Sequence, residues 1–195
     1  MNRPEDLRLD ALSVDVRSLL DRSVASLYSH LVTRPTGRAV RLAIEEQIKD
    51  LGTPALSLID LSSVAILDYS CADEVVAKLL LSSSDRARGT FFLLRGVRPH
   101  HRDPIRAVLE RHGLAVVAET GASRFELMGS GSDGERVIWL KVEEAGWIRR
   151  SEIDALLGGV DERGYLDTLV ERRLLFRHPD YGHLYALSRL IEPPE

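Results

Sequence analysis

Cysteine is nearly missing from this chain: Cys71 is the only one in 195 residues. That excludes an intrachain disulfide and a zinc site built on two thiolates of one chain, and a cytosolic setting is the expectation. Long apolar runs are missing too. None reaches the roughly 18–20 residues a membrane-crossing helix needs, so no membrane role is expected. The opening MNRPEDLRLD has no apolar stretch of the kind that marks a secretory signal. Positive charge is not in excess: 26 Lys and Arg face 30 Asp and Glu, for a formal net charge of -4. There is thus no global electrostatic footprint for nucleic acid. P-loop, nucleophile-elbow and His-Glu-x-x-His patterns are absent. The chain is expected not to be an enzyme, and neither a cofactor nor a metal is expected.

What is present is ordinary globular material. The hydrophobic fraction of 44% and charged fraction of 29% exclude disorder as the main state. The length admits one large domain or two small ones.

Periodicity organises the first two thirds. Leu7, Leu9 and Ala11 alternate with polar residues, a short strand signal. Val16, Leu20, Val24, Leu27 and Leu31 recur at spacings of three and four, which predicts a helix over 13–32. Pro35 should stop it, and Thr36 should cap a second helix with the stripe Val40, Ile44, Ile48 and Leu51. The runs 55–61 and 64–67 read as strands. Val75, Val76, Leu79 and Leu80 mark a helical face. The run 91–94 reads as a central strand, 102–112 as a helix and 114–118 as another strand. Alternating strands and helices predict an α/β layer with a mostly parallel sheet.

The polar segment Ser130-Gly-Ser-Asp-Gly-Glu reads as a flexible linker over 130–136, dividing an α/β unit (1–129) from a smaller unit (137–192). The smaller unit carries three helical stretches. It ends in Leu175-Phe-Arg-His and His183-Leu-Tyr-Ala-Leu around the turn residues Pro179-Asp-Tyr-Gly, a hairpin pattern. Three helices and a hairpin predict a winged helix-turn-helix architecture, which by itself assigns no function. The expected fold class is therefore α/β with an appended small α+β winged-helix unit.

The stretch Leu58-Ile-Asp-Leu-Ser-Ser-Val-Ala-Ile-Leu-Asp-Tyr-Ser-Cys-Ala-Asp-Glu-Val resembles the signature of STAS domains, the sulfate-transporter and anti-sigma-factor-antagonist modules. Asp60 and Asp68 take the two acidic positions, and Ser70 falls where the family often carries a phosphorylatable hydroxyl. Tyr69 stands where the family has a small residue, and Cys71 where it has glycine. The resemblance covers about residues 56–117. It implies a STAS-like fold, a bacterial signalling context and a non-catalytic partner-binding role. Its docking and phosphoacceptor candidates are Asp68, Tyr69, Ser70 and Asp73.

Residue chemistry offers readings beside that one. Ser70 with Asp73 three residues on reads as a capping box before Val75 and Val76. A phosphate on Ser70 would be welcomed by a helix N-terminus but repelled by Asp60, Asp68, Asp73 and Glu74. Thr33, Arg34, Thr36 and Arg38 put two hydroxyls and two guanidiniums near a helix start, an anion-binding candidate or else an ordinary interhelical turn. His100 and His101 are expected to be solvated loop residues. Cys71 is expected to be a small buried apolar group.

In the C-terminal unit, Arg163, Arg172, Arg173 and Arg177 are the nucleic-acid candidates. From Glu135 to Glu192, however, nine Lys and Arg face eleven Asp and Glu. Phosphate contacts supply most non-specific DNA affinity, so protein contact is the more economical expectation. The leading expectation is a regulatory adaptor for a protein partner: a kinase, a sigma-factor regulator or a larger assembly, with a homodimer possible. The alternative is a transcription regulator using the winged helix on DNA, and the third reading is nucleotide binding through Thr33 to Arg38.

Overall fold

The stretches 55–59, 91–94 and 115–118 are mostly apolar because both of their faces are covered. The structure is a computed structural model that describes residues 10–15, 30–49, 55–84 and 89–191. Within these, β1 (Asp10–Asp15), β3 (Ala55–Asp60), β5 (Thr90–Arg95) and β6 (Ala115–Gly121) lie parallel. β7 (Arg124–Gly129) closes the sheet antiparallel to β6, giving the order β1-β3-β5-β6-β7. β2 (His30–Leu31) and β4 (Ile66–Leu67) form a separate two-stranded ladder. The expected mixed α/β fold with a mostly parallel sheet, and β5 at its centre, is what the chain adopts.

Alternate strand residues feed two cores, as the period of two requires. Ile59, Phe92, Leu94, Val116 and Met128 join the first core. Three helices cover it: α1 (Arg34–Lys49), α2 and α3 (Pro99–Arg111). Helix α2 is continuous through an α turn at Tyr69–Ala72, a π-helical stretch at Asp73–Lys78 and an α segment at Leu79–Ser84. Leu56, Leu58, Phe91, Leu93, Val117 and Leu127 point the other way, into a core shared with the C-terminal residues.

Those residues form α4 (Asp133–Ala145), β8 (Trp147–Ile148), the short helix α5 (Ile153–Leu156), α6 (Val160–Glu171), β9 (Leu175–Arg177) and β10 (Leu184–Ala186). The three strands pair in the order β8-β10-β9. Ile138, Trp139 and Val142 of α4, Leu166 and Leu169 of α6, and Phe176 and Tyr185 of the hairpin face the sheet. The Phe176 ring meets Phe91 of β5 edge-on, 5.4 Å between centroids.

Several expectations are corrected. Residues 13–15 belong to β1 and 30–31 to β2, so a helix does not run through 13–32; residues 1–9 and 16–29 lie outside those described. Pro35 sits in the first turn of α1, where its missing N–H costs nothing, instead of ending a helix. Strand β7 was not expected. Segment 130–136 is not a flexible linker, because it holds the cap and first turn of α4. The Ser132 amide donates to Glu135 Oε2 at 2.7 Å and the Glu135 amide donates to Ser132 Oγ at 3.2 Å, a capping box. Arg172 of the C-terminal unit then donates to Glu135 Oε1 at 2.8 Å and to the Ser130 carbonyl at 2.7 Å.

Candidate functional site

Parallel strands joined by helices deliver every helix start to one edge of the sheet, and in open α/β sheets that edge is where ligands and partners gather. Here the starts of α1 and α2 are brought side by side by the β2–β4 ladder, with His30 opposite Ile66 and Leu31 opposite Leu67. The two sequence segments singled out separately, Thr33 to Arg38 and Asp68 to Asp73, are thus one place.

Glycine permits the approach. A Cβ on Gly37 would stand 3.0 Å from Cys71 Cα and 3.1 Å from Glu74 Cβ. The Cys71 thiol donates to the Thr33 carbonyl at 2.9 Å. Burial first, and then the charge of Asp68, push that thiol up to about 12, so it stays protonated and unreactive at neutral pH.

The caps differ from those expected. Thr36 does not cap α1; its amide donates to Thr33 Oγ1 at 3.4 Å, and the two hydroxyls lie 2.8 Å apart. Ser70 is not the cap of α2 either. Asp68 is: its Oδ1 accepts from the Cys71 amide at 2.7 Å. Ser70 sits one turn position inside, and its hydroxyl donates to Asp68 Oδ1 at 2.9 Å.

Beneath this surface lies a network of charge. Glu45, Asp73 and Glu74 are all buried. Arg34 Nη1 donates to Asp73 Oδ2 at 2.8 Å and to Glu74 Oε1 at 3.0 Å. Arg41 bridges Glu45 at 2.7 Å and Glu74 at 3.2 Å. Lys78 reaches Glu74 and lies 3.5 Å from Asp73, while His112 Nε2 is 2.8 Å from Asp73 Oδ1. Burial alone would raise the Asp73 carboxyl; bonds from Arg34 and His112 and the Lys78 charge overcome it and hold the group at about 2. Glu74 is likewise lowered, because Lys78 and Arg41 outweigh its burial. The π-helical stretch carries the consecutive residues Asp73 and Glu74 onto the same guanidinium, that of Arg34.

Of the anion-binding candidates, Arg34 is half-exposed but already paired with two buried carboxylates, while Thr33 and Arg38 are exposed. Arg41, Glu45, Lys78 and His112 were not foreseen in this network. The i,i+4 pairs Arg41–Glu45 and Glu74–Lys78 were the visible signal, but their burial was not. Above the network, three large apolar side chains face solvent where the ladder turns into the helices: Val32 at 46% exposure, Ile66 at 47% and Tyr69 at 57%.

Of the four candidate arginines of the C-terminal unit, Arg163 and Arg177 line one pocket with Arg150, but Asp154 and Asp167 line it too. Arg163 pairs with Asp154, and Arg177 with Asp167 at 3.0 Å. Arg172 faces the sheet and clasps Glu135. Arg173 adopts a left-handed backbone at φ 57 just past α6. His101 corrects another expectation, being fully buried, whereas His100 is exposed. Among the described residues no group of three or more His, Cys, Asp or Glu is placed to hold a metal ion, and no helix is long and apolar enough to cross a membrane. No family model, no curated protein and no solved structure matches this chain.

Proposed function

We propose that this chain is a non-catalytic regulatory adaptor whose α/β unit, of STAS type, docks a protein partner on the face where α1 and α2 begin. The observation that carries the reading is the trio Val32, Ile66 and Tyr69, exposed at 46–57% over a floor whose charges are already paired. Apolar and aromatic anchors over a rigid floor suit a protein surface; a small charged ligand would have to displace internal ion pairs. The half-buried Ser70 hydroxyl lies beside these anchors, where phosphorylation would change the charge of the face. A kinase, a sigma-factor regulator or a larger assembly fits as partner.

The C-terminal order of helix, strand, helix, helix and hairpin supports a winged-helix-like unit and keeps DNA binding as the second reading. It is the weaker one because phosphates would compete with Asp154, Asp167 and Glu135 for Arg163, Arg177 and Arg172. Photocrosslinking residues placed at positions 66 and 69, with position 110 on exposed α3 as control, should trap a discrete protein adduct in the native cell only from 66 and 69. An adduct at twice the chain mass identifies the partner as a second copy. The adaptor reading fails if neither position gives an adduct, or if the protein binds a specific duplex at about 10⁻⁸ M or tighter near physiological salt.

A further inference from the structure

A groove of about 370 Å³ runs between the edge strand β7 and helix α4, far in sequence from the helix-start face. Arg106, Phe125, Glu126, Arg136, Trp139 and Leu140 line it. Its polar wall is unusual. The Arg136 guanidinium donates to the Leu127 carbonyl at 2.7 Å and the Gly129 carbonyl at 2.5 Å. Among the described strands β7 pairs only with β6, so these carbonyls point away from the rest of the sheet. In an extended strand a residue's N–H points the same way as its C=O, so the Leu127 amide faces outward as well. With the Leu127 and Gly129 carbonyls taken and the Leu127 amide left, this part of the edge disfavours a further β-strand and favours acceptor-bearing groups.

The charges agree. Arg136 rests on neutral carbonyls, and Arg106 makes no ion pair among the described residues. Arg102, outside the groove lining, lies 3.9 Å from Glu126. The groove lining thus carries two guanidiniums, those of Arg106 and Arg136, against one carboxylate, Glu126, in a protein of net charge -4. The other wall is apolar: Leu140 and its neighbour one turn back, Val137, are each 49% exposed, and Trp139 forms the floor at 2%. Two buried polar atoms of the lining, the Trp139 indole N–H and Glu126 Oε1, have no hydrogen-bond partner among the described residues.

We propose that this groove is a second docking site, for an acidic and apolar segment of a protein partner. Its carboxylates meet Arg106 and Arg136, and its apolar side chain lies on Leu140, Phe125 and Trp139. The site stands independently of the helix-start face. The test pans a phage-displayed random peptide library over the full chain. Enriched peptides are then titrated against wild type, Arg106→Glu, Leu140→Asp and Tyr69→Ala, with melting temperature as the check on folding. Arg106 and Leu140 are exposed, so both variants should fold. The expected peptides combine Asp or Glu with Leu or Phe, bind about tenfold or more weakly to the two groove variants, and bind Tyr69→Ala unchanged. Enrichment of basic peptides, equal binding to wild type and both groove variants, or no enrichment above an unrelated protein overturns the proposal. Peptides lost only with Tyr69→Ala overturn it while supporting the helix-start face.

Discussion

Asp68 holds the start of α2 through one oxygen that accepts both the Cys71 amide and the Ser70 hydroxyl. Asp68→Ala should therefore cost about 1 kcal/mol in urea unfolding, the usual worth of an N-cap. Ser70→Ala should cost less, since the cap remains. Ser70→Asp sets a second carboxylate against Asp68 and is not a silent mimic of phosphate. A larger loss for Ser70→Ala than for Asp68→Ala would show that the cap is misassigned. His101 makes a second residue-scale case. Its Nδ1 accepts from the Arg98 amide at 3.2 Å, which leaves Nε2–H to donate to the Val64 carbonyl at 3.0 Å, the neutral tautomer. Burial, followed by the charge of His100, lowers this imidazole from 6.5 to about 4 despite the Val64 bond. The unfolded chain therefore takes up its proton first. The His101 contribution is complete above pH 6.5 and is lost as pH falls towards 4. Stability measured across that window should fall more steeply in wild type than in His101→Gln; parallel curves would refute the buried, neutral assignment.

At the scale of elements, the junction between β7 and α4 is held by Arg136, which bonds the Leu127 and Gly129 carbonyls, and by Arg172 from beyond α6. Arg172 spans Glu135, the Ser130 carbonyl and, at 3.5 Å, the Gly113 carbonyl. Gly129 makes the turn possible. Its φ is 96, and a Cβ there would meet the Leu114 carbonyl at 2.4 Å. Because Glu135 is buried, Arg172→Ala leaves a carboxylate short of its cation and should cost about 2 kcal/mol. Arg172→Lys should recover only part, since a lysine cannot span the same acceptors at once. Limited proteolysis gives an independent readout: wild type should resist cutting at 130–135, and Arg172→Ala should be nicked there. Early cleavage of wild type within that segment would contradict the clasp.

Taken whole, the molecule is a sheet with one face under three helices and the other under the C-terminal unit. Ending the chain after Gly129 would bare Leu56, Leu58, Phe91, Leu93, Val117 and Leu127 together. Each buried side chain of this kind contributes about 1.5–3 kcal/mol, so six of them rival the roughly 5–15 kcal/mol that stabilises a typical protein. The full chain should melt in one cooperative transition, and residues 1–129 alone should aggregate. Two separate transitions, or a soluble folded fragment, would show that the units stand apart. A shared core also fixes the hairpin relative to the helix-start face, so the two surfaces cannot reorient freely about a tether.

Local pattern was enough for much of this. The mostly apolar runs at 55–61, 91–94 and 114–118 announced buried parallel strands, because a strand covered on both faces has few polar positions to alternate. The stripe Val40, Ile44 and Ile48 announced α1, and Pro179-Asp-Tyr-Gly announced the hairpin turn. Asp68, Tyr69, Ser70 and Asp73 were legible as a group because they are contiguous. What no local pattern carries is partnership between residues distant in sequence. That Arg34 meets Asp73, that His112 meets Asp73 and that Arg172 meets Glu135 depends on which helices share a sheet face. The same contacts paired Arg34, half-exposed, with two buried carboxylates and made a clasped turn of a polar segment. Composition marks a segment as polar; only the fold decides whether its polar groups bond to water or to the protein.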